Sequence, residues 1–488
     1  MYVFLLIIGM GLATSAYFYL QSNRTYHGHY YEYYFRSVVI DDLLKKEDFK
    51  EALHNFYISY PDKIILLRDL PFFLLFGPSH LLFSFSSVFL NFGLTLLLFF
   101  SLKKLISPRK AFIFILFIIA CQFYIELLAH FYVDLTYFLV CSLFFVYAAL
   151  FRNDDKHYNL SLAIVVMLMF ATKNTTYALL PILSFFILFE GIVRKKLPIM
   201  FGIKYISIVL IGFLLFFVLF LNANLYRVLG DMPTIGQVTG CSPNEGVCNS
   251  FSAFLNNFNV KVFSYSSGRR LTDTRLLDKF ENYLLSASLY GIVIYNLLKK
   301  KNAFFIWMFF AGELFFLLIF NFAGTPFDLR LLLPFYFIYL YLIFEFFYEL
   351  AQDLGSKNRD ILFYSVILLI LCSSLTFFYA YEKRSYSEKY DPKWLFLDNF
   401  PFDHNKVYAS VLDVKELSSY YRSFIDSDKN FSKLSDFYSF DTRFTYRVTD
   451  NLAEADYVLC NICINYADYT FVKSGSLRGE MNISLYKK

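Results

Sequence analysis

"DLTYFLVCSLFFVYAALF", residues 134 to 151, opens on a carboxylate and carries no further charge to its end. Wound as an α-helix at about 1.5 Å per residue it is long enough to cross most of a hydrocarbon layer about 30 Å thick. The same kind of run recurs along most of the chain. Only 17% of the 488 residues are charged, while 57% are hydrophobic and 22% aromatic; an ordinary soluble domain carries about 25% charged residues. This composition excludes a soluble globular class and predicts a membrane protein. The formal net charge of +5 is taken up mostly by short basic connections, so no nucleic-acid partner is expected.

Working outward from that stretch, apolar runs predict spans at roughly 2–20, 79–102, 111–130, 134–151, 158–172, 177–193, 205–223, 283–298, 303–320, 329–349 and 361–380. The predicted architecture is mainly α, polytopic, with about eleven transmembrane helices. Lys103, Lys104, Arg109 and Lys110, then Arg152 and Lys156, Arg194 to Lys196 with Lys204, Lys299 to Lys301, and Lys357 with Arg359 make every second connection basic. By the positive-inside rule these connections are cytoplasmic, the N-terminus is inside and the C-terminus outside, as in a bacterial inner membrane or a plasma membrane. The first run lacks a basic leader region and reads as an uncleaved helix rather than a signal peptide.

This topology puts the polar mass on one face: loops at about 21–78 and 223–282, and a tail at 381–488 read as a small extracytoplasmic α/β domain from strand-like runs such as "ADYVLCNI". Residues 1–380 form the membrane module. One-sided polar mass suits an enzyme working on lipid-linked substrates. Cys121, Cys141 and Cys372 fall in spans as small apolar fillers, while Cys241 and Cys248 in "GCSPNEGVC" are placed to close a disulfide in an oxidising compartment.

Charges near a bilayer are paired, functional or reaching for water. Glu190 and Glu345 read as helix-end acids reaching water, and Asp41 and Asp42 as solvated surface acids; Glu313 is deeper and has no assigned role. Glu126, His130 and Asp134 are four apart and share a face if the helix continues. Three readings stand open for them: a self-satisfied polar cluster, a divalent metal site, or a carboxylate at the membrane surface that acts on substrate, with His130 as a substrate contact. No strong metal-ligand signature occurs elsewhere, so no cofactor is assigned. Lys173 in "TKNTTYALLP" and Arg330 in "RLLLP" stand on the outer side, against the positive-inside bias, and two cations there suit a lipid phosphate. Glu32, in "YYEYY" on an amphipathic stretch of the first outer loop, is a base candidate, with an ion pair to Arg36 as the plain alternative. Arg269 and Arg270 in "YSSGRRLTDTR" are candidates for an anionic acceptor or headgroup.

In order and spacing these motifs resemble the polyprenyl-phosphate-dependent glycosyltransferases of the GT-C fold, particularly the branch holding the protein O-mannosyltransferases and the 4-amino-4-deoxy-L-arabinose lipid A transferases. Where that family carries an Asp-Glu pair early in the first outer loop, this chain keeps Glu32 and has Tyr31 in place of the Asp. Asp134 in "VDLTYF", Thr172 and Lys173 with Pro181, and Arg330 with Pro334 follow over residues 1–350. The resemblance implies a membrane glycosyltransferase of the cell envelope that takes a sugar from a polyprenyl phosphate and gives it to a lipid, glycan or protein, with inversion. Glu32 and Asp134 would be catalytic, and Lys173 and Arg330 would hold the donor phosphate. A polymerase or ligase of lipid-linked glycans, or a flippase, is the alternative; a transporter is expected to show its key charges deep in the bundle.

Overall fold

The computed structural model describes residues 37, 40–41, 43–45, 47–58, 63–77, 80–129, 133–152, 158–173, 175–191, 199–221, 276–299, 301–323, 333–389, 406–409, 437–438, 447–449, 453, 456–460, 468–477 and 481–488. The helices, in chain order, are α1 (Phe49–Ile58), α2 (Lys63–Phe76), α3 (His80–Leu102), α4 (Pro108–Ala120), α5 (Gln122–Ala129), α6 (Val133–Arg152), α7 (Asn159–Thr172), α8 (Thr176–Phe189), α9 (Ile199–Phe216, prolonged by a π turn over Phe217–Leu221), α10 (Leu276–Leu298), α11 (Ala303–Ala323), α12 (Leu333–Leu350) and α13 (Ser356–Lys389). Residues 37, 40, 41 and 43–45 are helical as well.

Among the described residues five helices are long and apolar enough to cross a membrane, within α3, α6, α9, α12 and α13, and four shorter apolar helices accompany them. The chain is an integral membrane protein. Among the described residues, helices lie within each of the runs predicted for the second to eleventh spans, with one break: the run at 111–130 holds two helices, because Cys121 adopts an extended conformation (φ −67°, ψ 139°) between α4 and α5. The run predicted at 2–20 lies outside the described residues.

The opening stretch of sequence sits at the centre. Every residue from Val133 to Phe151 is buried, with α3, α7 and α12 packed around α6. A helix apolar on all sides has no wet face to lose, so surrounding it with other helices is the consistent packing. Lipid is as apolar as a core, so association here depends on close contact rather than on expelling water. Gly212 of α9 illustrates this: a Cβ there would lie 2.6 Å from the Ala163 carbonyl oxygen and 2.8 Å from Val166 Cβ on α7. Phe and Tyr rings fill the wider gaps, as where Phe114 meets Phe337, Tyr341 and Phe344 at 5.0 to 5.7 Å between centroids. By contrast, α9 and α13 leave long apolar residues exposed, Leu210, Ile211, Leu368 and Leu369 among them, as helices at a lipid boundary do.

The basic connections gather at one end of the bundle, where ion pairs cross between helices. Lys110 is paired with Glu345, Arg109 with Asp360, and Arg152 with Glu190, while Lys301 meets Glu349 at 3.0 Å. This corrects the reading of Glu190 and Glu345 as acids reaching water: both are buried, and each is held by a cation from another part of the bundle. The short basic connections supply the cations, and a buried carboxylate is tolerable only beside one.

Among the described residues six strands form one sheet in the order β2-β3-β1-β4-β6-β5: β1 (Lys406–Ala409), β2 (Phe437–Tyr438), β3 (Arg447–Thr449), β4 (Tyr457–Cys460), β5 (Thr470–Leu477) and β6 (Met481–Lys487). β1 runs parallel to both β3 and β4, and the other pairings are antiparallel.

Candidate active site

Asp134 stands in the first turn of α6 and is buried, 3% exposed. Lys173 caps the C-terminal end of α7, its backbone turned to φ −158° and ψ 140° with its N–H on the Met169 carbonyl. The connection between α7 and α8 carries the Lys173 ammonium to the Asp134 carboxylate, and the two form an ion pair. Helix ends favour this arrangement on both sides: a carboxylate near an N-terminus and a cation near a C-terminus each complement the local helix dipole. The Lys173 nitrogen also lies 5.9 Å from the centre of the Tyr137 ring.

Neighbouring hydroxyls fix the two ends. The Tyr137 and Thr176 hydroxyl oxygens are 3.1 Å apart, and the Thr176 hydroxyl donates to the Met169 carbonyl at 2.9 Å, which ties α6, α7 and α8 together beneath the pair. On the other flank the Thr136 hydroxyl donates to Asn91 Oδ1 on α3 at 2.9 Å. Thr95, one turn along α3, donates to the Asn91 carbonyl at 2.7 Å and lies 2.9 Å from the Tyr124 hydroxyl of α5.

A second polar knot joins α3 to the segment before it. Asp69 of α2 is fully buried and receives Arg68 Nε at 2.7 Å and Nη2 at 3.2 Å, the Ser37 hydroxyl at 3.0 Å and the Ser86 hydroxyl of α3. Arg68 also lies over the Phe83 ring at 4.6 Å. Nearby, Asp41 is buried with Lys45 on it at 2.6 Å, which corrects its reading as a solvated surface acid. The stretch read as an outer loop is thus partly built into the bundle. Lys63, at the start of α2, donates to the Phe220 carbonyl at the end of α9. Burial pushes the Lys63 ammonium down to about 8.

Of the residues predicted for the site, the structure brings Asp134 and Lys173 together. Glu32, His130, Arg269, Arg270, Arg330, Cys241 and Cys248 lie outside the described residues. The face shared by Glu126, His130 and Asp134 runs through residues 130–132, which lie outside the described residues. Among the described residues no three His, Cys, Asp or Glu side chains come together as a metal site would require.

Among solved structures the chain is similar to ArnT from Cupriavidus metallidurans bound to undecaprenyl phosphate, with a TM-score of 0.47 and 10% identity over 70% of this chain and 59% of that one. The apo state of the same protein gives a TM-score of 0.42 and 12% identity over 70% of this chain and 58% of that one. The chain therefore spans less than two thirds of the length of either structure. No protein-family profile matches it, and no curated protein does.

Asp69 and Asn91 escaped the sequence reading, although the signal that singled out Asp134 was present for Asp69 too. "KIILLRDLPFFLLF" holds one acid in a largely apolar run, beside Arg68 and after Lys63. Asn91 carries no charge, and in "FSSVFLNFGL" nothing distinguishes it from a polar residue facing a neighbour.

Proposed function

We infer that the protein is an integral-membrane glycosyltransferase that moves a sugar from a polyprenyl-phosphate-linked donor to a lipid, glycan or protein acceptor on the extracytoplasmic face. The observation that carries this reading is the pairing of Asp134 with Lys173 by two helix ends that the sequence motifs had separately marked. A lysine held by a buried acid is preset to receive a phosphate and pays little to be oriented when charge develops on it.

In the reaction, the acceptor hydroxyl oxygen attacks the anomeric carbon of the sugar while the bond from that carbon to the phosphate oxygen breaks with its electron pair. Glu32 takes the hydroxyl proton, with Asp134 as the second acid of the site. Lys173 and Arg330 balance the charge left on the lipid phosphate. One displacement inverts the anomeric centre. The basic ends of the helices lie in the cytoplasm, with the N-terminus, and the C-terminal residues lie outside.

Transport of a lipid-linked glycan is a second reading, favoured by one observation. Glu313 lies midway along α11, where it accepts a hydrogen bond from the Tyr290 hydroxyl at 3.1 Å, the depth at which carriers place working charges. Mass spectrometry of surface glycolipids, polysaccharides and glycoproteins separates the two. In cells lacking the gene one sugar mass disappears, returns with the wild type, and stays absent with Glu32→Gln or Asp134→Asn at equal protein level. Glycoconjugates unchanged throughout would reject the transferase.

A further inference from the structure

At the basic end of the bundle, the starts of α4 and α13 and the end of α12 bring three cations together. Arg109 is paired with Asp360 and Lys110 with Glu345, and both acids are buried. Arg359 is the third cation. Its neighbour in sequence, Asp360, is taken by Arg109, and among the described residues Arg359 forms no ion pair. Its Nε is buried and donates to none of them.

Arg359 is nonetheless held close to another positive charge. Its guanidinium carbon lies 4.3 Å from the centre of the Tyr348 ring and the Lys110 nitrogen lies 4.7 Å from the same centre, so the two cations stand within about 9 Å of each other. That is about one Debye length at physiological salt, and screening is weaker still beside an apolar bundle. An arginine reaching only for water extends away from a second cation, whereas this one is kept beside it by the ring.

Along α13, the residues that follow Arg359 on its side of the helix are aliphatic. Leu362, Val366 and Leu369 come three, seven and ten residues later, the spacing of one helix face, and all three are exposed. Arg359 stands between this stripe and the packed side of the helix, where Phe363 meets Phe344 and Tyr348 at 5.4 Å between centroids. Ten residues of helix rise about 15 Å, half of a hydrocarbon layer about 30 Å thick. Exposed aliphatic surface of one leaflet's depth therefore begins beneath a cation with no acid of its own.

We propose that Arg359, with Arg109 and Lys110, receives the phosphate of an anionic diacyl phospholipid whose chains lie along Leu362, Val366 and Leu369. Charge and stripe select this occupant together. A zwitterionic lipid brings its own cation to a place already in positive excess, and a free phosphate leaves the stripe uncovered. A phosphate between Arg359 and Lys110 offsets their repulsion and ties the start of α13 to the start of α4. The inference does not depend on the glycosyltransferase reading.

For the test, purified protein in detergent is titrated with dioleoyl phosphatidylglycerol or dioleoyl phosphatidylcholine, and bound lipid is counted by native mass spectrometry. Wild type takes up phosphatidylglycerol at the lower concentration, and its unfolding midpoint rises with that lipid alone. Arg359→Met weakens phosphatidylglycerol binding about fivefold, the effect of one cation beside an anionic lipid. Since Arg359 holds no acid, the variant unfolds at the wild-type midpoint before lipid is added. Arg359→Gln gives the same loss, so a defect particular to methionine does not produce it, and Arg359→Lys keeps most of the preference. Lys301→Met, which removes a cation paired with Glu349 at the same end, changes binding less than about twofold. Equal binding of the two lipids by wild type overturns the inference. So does an equal loss in Arg359→Met and Lys301→Met, which marks a diffuse attraction to the whole basic end. Displacement of phosphatidylglycerol by millimolar inorganic phosphate marks a site for the free anion and overturns the lipid assignment.

Discussion

At the scale of single residues, the Asp134–Lys173 pair is the feature on which most depends. A buried acid that loses this cation is harder to keep charged, so Lys173→Met destabilises the protein, and adding Asp134→Asn recovers part of the loss. Thermal unfolding in detergent across the double-mutant cycle shows a coupling of about 1–3 kcal/mol; additive losses would mean that the two groups do not interact. Lys63 makes a different prediction. Burial pushes its ammonium down to about 8 from an ordinary value of 10.5. Between these values the unfolded chain binds the extra proton, so this residue's contribution to stability improves as pH rises from 8 to 10.5. The unfolding midpoint of wild type therefore gains on that of Lys63→Met over this range, and a constant difference would exclude the shift. Asp134 was legible because one charge in a long apolar run is anomalous by itself. Glu190 and Glu345 were misread because whether an acid is solvated depends on which cation another helix delivers, and sequence spacing does not record that; Asp41 has its cation one turn along at Lys45, and what the sequence does not record is its burial.

At the scale of elements, two contacts are sensitive for opposite reasons. The crossing of α7 and α9 is close because Gly212 has no side chain, and Gly212→Val forces the helices apart. This costs about 1–3 kcal/mol, whereas Gly93→Ala on α3, where a Cβ meets nothing within 4 Å, is tolerated; equal unfolding midpoints for the two variants would contradict the packing described. The ion pairs at the basic end act by charge instead. Arg152→Met leaves the fully buried Glu190 carboxylate without that partner and lowers the unfolding midpoint, while Lys301→Met, at an exposed pair, changes it little. Span positions were readable because apolar length is a one-dimensional property. The break at Cys121 was not: "FIIACQFYIELL" keeps its apolar character through the interruption, and the backbone turns there for reasons of three-dimensional packing. The same limit hid the role of α2, which lies in a stretch read as an outer loop until the partners of Asp69 are seen.

At the scale of the whole molecule, the proposed orientation follows from which end of the bundle collects Lys and Arg. A cysteine introduced at Lys301, in an otherwise cysteine-free protein, is therefore shielded from a membrane-impermeant thiol reagent in intact cells and labelled after permeabilisation. Labelling of intact cells would invert the topology and remove the proposed site from the outer face. One helix has a mechanical implication for the chain beyond it. α13 has 34 residues, about 51 Å at the usual rise; its apolar run reaches Tyr381, and the helix continues through Glu382, Lys383 and Arg384 to Lys389. A continuous helix transmits rotation. Each residue added within its outer part advances everything that follows by about 100°, so inserting two residues there turns the downstream chain to face nearly the opposite way, while inserting seven returns it almost to its starting azimuth, about 10 Å higher.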